Sequence, residues 1–168
     1  GDVLELDDPG GPLGQETFDR IFAPQNLVQI VGEGPERLRL FEGIRNRLAP
    51  DGRVAITFIE ELPVESMEIP PQPEVFESGG WTWSSLSVSL EAEPGSITLN
   101  RLRQRIAPGG EIRTSEAETR FTRVSAVAIE AGLLAAGLGP AEIRDMPVSA
   151  DYIDSVLATC SLPATGAE

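Results

Sequence analysis

Pro24, Gln25, Asn26 and Gln29 place carboxamides directly after an apolar run, Phe18 to Ala23. A carboxamide both donates and accepts, so at a strand end this group suits a polar small molecule, while Asn26 equally suits a helix cap. Trp81 and Trp83 stand on alternate positions, so on a strand both face one side. There they would wall a substrate or cage a cationic amine, or else pack as core or as a subunit contact. Arg101, Arg103 and Arg105 also alternate. They are expected to pair across strands with Glu111, Glu116 and Glu118, or, in the case of Arg103, to hold an acidic substrate group. The chain has no histidine, so a general base must come from Asp, Glu or Tyr152. Arginine holds its proton too firmly to serve. Cys160 follows the strand-like Val156 to Thr159 and reads as an inert core thiol.

The elements that would position these residues follow from the apolar pattern. Phe18 to Ala23 reads as a strand stopped by Pro24. Pro35 suits a first helical position, and Leu38, Phe41, Ile44 and Leu48 recur at helical spacing, with Arg37, Arg39, Glu42, Arg45 and Arg47 around the rest of the wheel. Pro50-Asp51-Gly52 is expected to end that helix in a turn. Val54 to Ile59 then makes a strand apolar enough to be covered on both faces. The unit is a βαβ crossover, whose parallel sheet binds ligands beyond the carboxyl ends of its strands. Glu60 to Ser78, with Pro63, Pro70, Pro71 and Pro73, reads as an extended loop, either a lid or a plain connector. Residues 81–123 read as a three-stranded antiparallel insertion with turns at Glu93-Pro94-Gly95 and Pro108-Gly109-Gly110, and with a change of face in its second strand near Leu102 to Ile106. Ser125 to Gly137 reads as a helix, Ala141 to Val148 and Asp154 to Leu162 as strands, and Pro163 to Glu168 as a loose tail.

Taken in order, FDRIFAPQNLVQIV and then RLRLFEGIRNRLAPDGRVAITFI resemble the second half of the class I S-adenosylmethionine-dependent methyltransferases. That family has a strand of the form FD-hydrophobic-hydrophobic-x-A-P-x-N, then a helix ending in L-x-P-G-G. Asp51 stands here for the first glycine of that turn. The resemblance covers the chain in order and is close over roughly the first 60 positions. It implies a Rossmann-like sheet whose last two strands form a reverse-ordered hairpin, with S-adenosyl-L-methionine as cofactor. By the same resemblance Asp2, Val3 and Leu4 lie at a strand end facing the adenine, Asp2 accepting from the adenine amino group. Ala23, Pro24 and Asn26 take the family's cofactor-side positions. Gln29, Trp81, Trp83 and Arg103 are expected on the substrate side. The family's first strand, its glycine-rich loop and the carboxylate holding the ribose would precede Gly1. The chain is therefore expected to be a fragment that binds the cofactor poorly and is inactive by itself. Gly32-Glu33-Gly34 follows the wrong strand to replace that loop.

Methyl transfer from a sulfonium is an in-line displacement on an activated carbon, so alignment supplies much of the catalysis. A base is optional for a neutral amine and useful for a hydroxyl; the lack of histidine leans toward N-methylation, or toward a base upstream. The expected acceptor is a small molecule. With 27 acidic and 13 basic residues, a net charge of −14 disfavours nucleic-acid phosphates as partners. No long apolar run suggests a membrane span, and no metal site is expected. A single cysteine fits a reducing, cytoplasmic setting. The expected domains are a core of residues 1–61 and 124–168 and an insertion of residues 62–123, the latter covering substrate or pairing two subunits in a homodimer. For the tryptophans, the subunit contact is the preferred expectation. The competing expectation for the whole chain is a non-catalytic α/β interaction module on the same scaffold, from which an upstream glycine-rich motif would distinguish it.

Overall fold

The computed structural model describes residues 2–6, 8, 13–146 and 154–163. The chain divides into two compact units, Gly1–Glu61 with Thr122–Glu168, and Leu62–Phe121. In chain order the elements are β1 (Phe18–Ala23), α1 (Leu27–Ile30), α2 (Pro35–Arg47), β2 (Leu48–Phe58), β3 (Met67–Glu68), β4 (Glu74–Ser78), β5 (Trp81–Glu93), β6 (Ser96–Ile106), β7 (Ile112–Thr122), α3 (Ala126–Ala135), β8 (Glu142–Met146) and β9 (Ser155–Ser161).

The first unit is a four-stranded sheet in the order β1-β2-β9-β8. β1 and β2 run parallel, joined by the crossover through α1 and α2, and β9 runs antiparallel to both β2 and β8. This is the expected reverse-ordered final hairpin. Parallel neighbours need such a crossover because a tight turn cannot return the chain in the same direction. Val54, Ile56 and Phe58 of β2, Ala158 of β9, Leu40, Phe41 and Ile44 of α2, and Ile129 and Leu133 of α3 form the core.

Three sequence expectations need correction in this unit. The buried face of α2 is Leu40, Phe41, Gly43, Ile44 and Arg47, so Arg47 is inside and Leu38 only partly so. Arg47 Nε donates to Leu6 O at 2.7 Å, because a segment ahead of β1 covers a flank of the helix that an amphipathic wheel leaves to solvent. Pro50-Asp51-Gly52 lies within β2 and does not end the helix, which stops at Arg47. The ladder passes from Phe18↔Leu48 to Arg20↔Arg53, so the extra residues of β2 bulge out there. Gly52 is required by contact: a Cβ would lie 2.9 Å from Ala49 O and 2.7 Å from Leu48 Cδ1. Finally, Val3–Glu5 is a turn of 3-10 helix, where a strand end was expected. The expected strand end at Val148, Tyr152 as base, and the tail from Ala164 lie outside the described residues.

The second unit is a five-stranded sheet, β3-β5-β6-β7 with β4 also on β5. Three strands were expected and the sheet has five, of which β5, β6 and β7 lie within residues 81–123. The region expected as loop adds β3 and β4, which pair with different stretches of the long β5. Pro70, Pro71 and Pro73 fall between those two strands, where no ladder N–H is needed. The irregularity also moves. β5 and β6 shift register between Ser87↔Arg101 and Ser89↔Asn100, a bulge at Val88, while Arg101 to Ile106 of β6 pair regularly.

Candidate functional site

Two sets of chemistry-bearing residues are built, one in each unit. In the first, the chain leaves β1 through Ala23, which pairs with Ile56 of β2 and is buried. It then turns through Pro24 O, which accepts from Leu27 N at 3.3 Å. Gln25 and Asn26 both adopt left-handed backbone, φ 55° and 60°. Consecutive non-glycine residues in that region carry strain, a feature concentrated at binding corners. Asn26 O accepts from Gln29 N at 2.8 Å and begins α1, yet its side chain makes no cap bond. The backbone does the capping and leaves the carboxamide uncommitted, at the carboxyl ends of parallel β1 and β2.

Gln29 does not join it. This side chain is wholly buried, and its amide is spent: Nε2 donates to Ile59 O and Thr122 O, both 3.0 Å, and Oε1 accepts from Ile59 N at 2.8 Å. The expectation of Gln29 as a substrate ligand is corrected to a bracket between two backbone segments. Thr122 Oγ1 adds a bond to Gln29 O at 3.1 Å. Arg37 completes the cluster, donating through Nε to Val28 O at 2.9 Å, and through an η nitrogen to Gly32 O at 2.8 Å and Thr122 Oγ1 at 3.0 Å. Burial holds the Arg37 pKa below its usual value, opposed in part by the charge of Glu33. Sequence reading placed Arg37 on a solvated face. Only the GEGP turn ahead of α2, whose carbonyls need donors, hinted otherwise.

Asp2 Oδ1 accepts from Leu4 N at 2.9 Å and caps the 3-10 turn. The Leu4 amide is therefore engaged, while the carboxylate keeps further acceptor sites. Val3 and Leu4 pack against the core. Cys160 is buried in β9, and desolvation pushes its pKa up to about 11, which makes it a poor nucleophile.

In the second unit, β4, β5, β6 and β7 shape one concavity of about 590 Å³. Phe76, Trp83, Ser85, Arg103, Arg105 and Arg113 line it, together with Glu74. Phe76 opposes Trp83 in the ladder, with ring centroids 5.6 Å apart. Trp81 stacks on Trp83 at 6.3 Å and carries the Arg105 guanidinium 5.0 Å above its ring, but lines no part of the concavity. The expected ion pairs are not among those of the described residues; instead Arg101 meets Glu74 at 3.9 Å and Arg113 meets Glu111 at 3.0 Å. Strand parity explains the outcome for Glu116 and Glu118, and Glu111 is taken up by Arg113. Gln104 Nε2 bonds Thr114 Oγ1 at 3.4 Å, so even-numbered Glu116 and Glu118 share the Gln104 face while the odd-numbered arginines occupy the other.

No family model and no curated protein matches the chain. Solved structures do. The sugar N-methyltransferase KedS8 from Streptoalloteichus sp ATCC 53650 aligns over 97% of this chain and 61% of its own, at TM-score 0.62 and 17% identity. An S-adenosylmethionine-dependent methyltransferase from Clostridium acetobutylicum ATCC 824 aligns over 96% and 63%, at 0.60 and 9%. DesVI of Streptomyces venezuelae aligns over 98% and 64%, at 0.61 and 17%. The chain thus has the class I methyltransferase fold, over 61% to 64% of the length of these structures. Among the described residues no helix is long and apolar enough to cross a membrane, and no group of three or more His, Cys, Asp or Glu is placed to hold a metal ion.

Proposed function

We propose that this chain is part of an S-adenosyl-L-methionine-dependent methyltransferase acting on a small molecule, at nitrogen in preference to oxygen. The observation that carries the reading is the uncommitted Asn26 carboxamide on the strained Gln25–Asn26 corner, at the carboxyl ends of β1 and β2 in a fold shared with methyltransferases. When bound, the cofactor supplies a methyl group already activated on a sulfonium. The chain's own residues fit that ligand. The remaining acceptor sites of Asp2 suit the adenine amino group, Val3 and Leu4 give apolar contact, Pro24 forms a wall backed by the buried Ala23, and Asn26 offers donor and acceptor to the polar edge. Trp83 and Arg103 are assigned to the acceptor molecule, with Trp81 buttressing Trp83. With no histidine to take a proton, an amine acceptor, which attacks as the free base, is the better match.

The test is a calorimetric titration of S-adenosyl-L-methionine into a protein carrying this chain together with the glycine-rich half of the fold. Binding, followed by release of S-adenosylhomocysteine when small amines are supplied, is expected. The 168-residue chain alone is expected to bind weakly or not at all. Tight binding by the chain alone would show the site to be misplaced. Absence of binding by the longer protein would overturn the reading in favour of an interaction module.

A further inference from the structure

Two orphaned donors lie on one face of the second sheet. Among the described residues, Ser85 Oγ and Arg101 Nε are the buried side-chain nitrogen or oxygen atoms without a hydrogen-bond partner. Folded proteins leave few such groups, and both of these call for an acceptor. Ser85 lines the concavity, opposite Arg103 in the β5–β6 ladder, and Arg101 stands two residues along on the same face. The neighbouring charges point the same way. Arg103, Arg105 and Arg113 line the concavity against one carboxylate, Glu74, in a chain whose net charge is −14. Of these arginines, Arg113 is offset by its pair with Glu111, while Arg105, over the Trp81 ring, and Arg103 have no carboxylate partner among the ion pairs of the described residues. Beside the arginines the lining is aromatic, with the Phe76 and Trp83 rings inclined at 36° to one another. Phe76 is 65% exposed and Trp83 36%, an uncovered aromatic shelf next to a cationic wall.

We infer that this concavity binds a ring-bearing anion: a planar ring laid on Phe76 and Trp83, with its carboxylate or phosphate held by Arg103 and the Ser85 hydroxyl. Ring stacking and charge-assisted hydrogen bonding then act on opposite ends of one ligand, so neither half alone binds well. The inference names the class of molecule on the acceptor side of the methyl-transfer reading and rests on it for that role. Binding itself needs no methyl donor.

The experiment follows tryptophan fluorescence and heat while phenyl phosphate, benzoate, inorganic phosphate and benzyl alcohol are each titrated into the full chain. Phenyl phosphate or benzoate is expected to bind roughly tenfold or more tighter than the ringless or uncharged probe, more weakly as salt rises. Either order between the two acids supports the site and identifies its charged group. Arg103→Gln and Trp83→Leu should each weaken binding about fivefold or more, with unchanged far-ultraviolet dichroism showing that both still fold. Since Arg103 is on the surface, its variant keeps the test open if Trp83→Leu does not fold. Equal binding of all four probes, binding untouched by Arg103→Gln, or no binding at millimolar concentration would overturn the inference. So would a doubled mass in light scattering that Trp83→Leu returns to one chain, since a second copy would then cover the shelf. None of these results bears on the S-adenosyl-L-methionine titration, so the two readings fail separately.

Discussion

Gln29 has committed its whole carboxamide to Ile59 and Thr122, so its replacement is a question of stability before binding. Gln29→Leu keeps the volume but leaves buried backbone groups unpaired, each costing about 1–3 kcal/mol. A loss of at least ~2 kcal/mol in urea unfolding is expected, and a loss under ~0.5 kcal/mol would contradict the bracket. Asp2 can be separated into two roles. Asp2→Asn keeps a cap for Leu4 N while removing the charge, so it should spare stability and weaken cofactor binding in the longer protein. Asp2→Ala should lose both, with roughly 1.5–3 kcal/mol of affinity at stake. Cys160 supplies a pH signature. Its pKa rises from the usual 9.0 to about 11 on folding, so the folded chain keeps the thiol proton that the unfolded chain releases. Its contribution to stability is intact below pH 9 and lost as pH climbs through 11. Cys160→Ala should flatten that alkaline decline in unfolding midpoints. An unchanged slope would contradict the assignment.

At the scale of elements, close approach governs two glycines. Gly132 of α3 faces the Phe41 ring of α2, and a Cβ there would lie 2.7 Å from it. Gly132→Ala should push the helices apart at a cost of about 1–3 kcal/mol, and Gly52→Ala, whose obstacle includes a carbonyl that cannot rotate away, at least as much. Thermal melts of both variants check this. What the sequence made legible was the set of elements whose burial follows from one period. β1, α2 and β5 fall where apolar spacing puts them, and the final β8–β9 hairpin where the family resemblance puts it. The buried flank of α2, the paired β3 and β4 and the bulge at Val88 did not, because each depends on a remote segment arriving alongside. The same distinction holds for the site. Strand parity put Trp81 and Trp83 on one face, and the carboxyl end of a strand singled out Asn26. The burial of Gln29 and the donors left without acceptors in the second sheet arise only once segments far apart in sequence meet.

For the whole molecule, charge sets the behaviour in solution. A net charge of −14 repels itself in the compact state, so moderate salt should raise the melting temperature by screening. A melting temperature that falls with salt would mean that attractive pairs, such as Arg101–Glu74 and Arg120–Glu93, outweigh the excess of acids. Against that acidic background the arginine-lined concavity of the second unit and the neutral carboxamide corner of the first offer different chemistry. We assign the arginine-lined concavity to an acid and the carboxamide corner to the adenosyl cation. The most direct test of this division is photochemical. In the longer protein, S-adenosyl-L-methionine cross-linked through its adenine ring and mapped after trypsin should label the peptide from Ile21 to Arg37, which holds Pro24 and Asn26, together with the stretch around Asp2. Label confined to the peptide from Val54 to Arg101, which carries Trp81 and Trp83, would place the cofactor in the second unit and contradict the account.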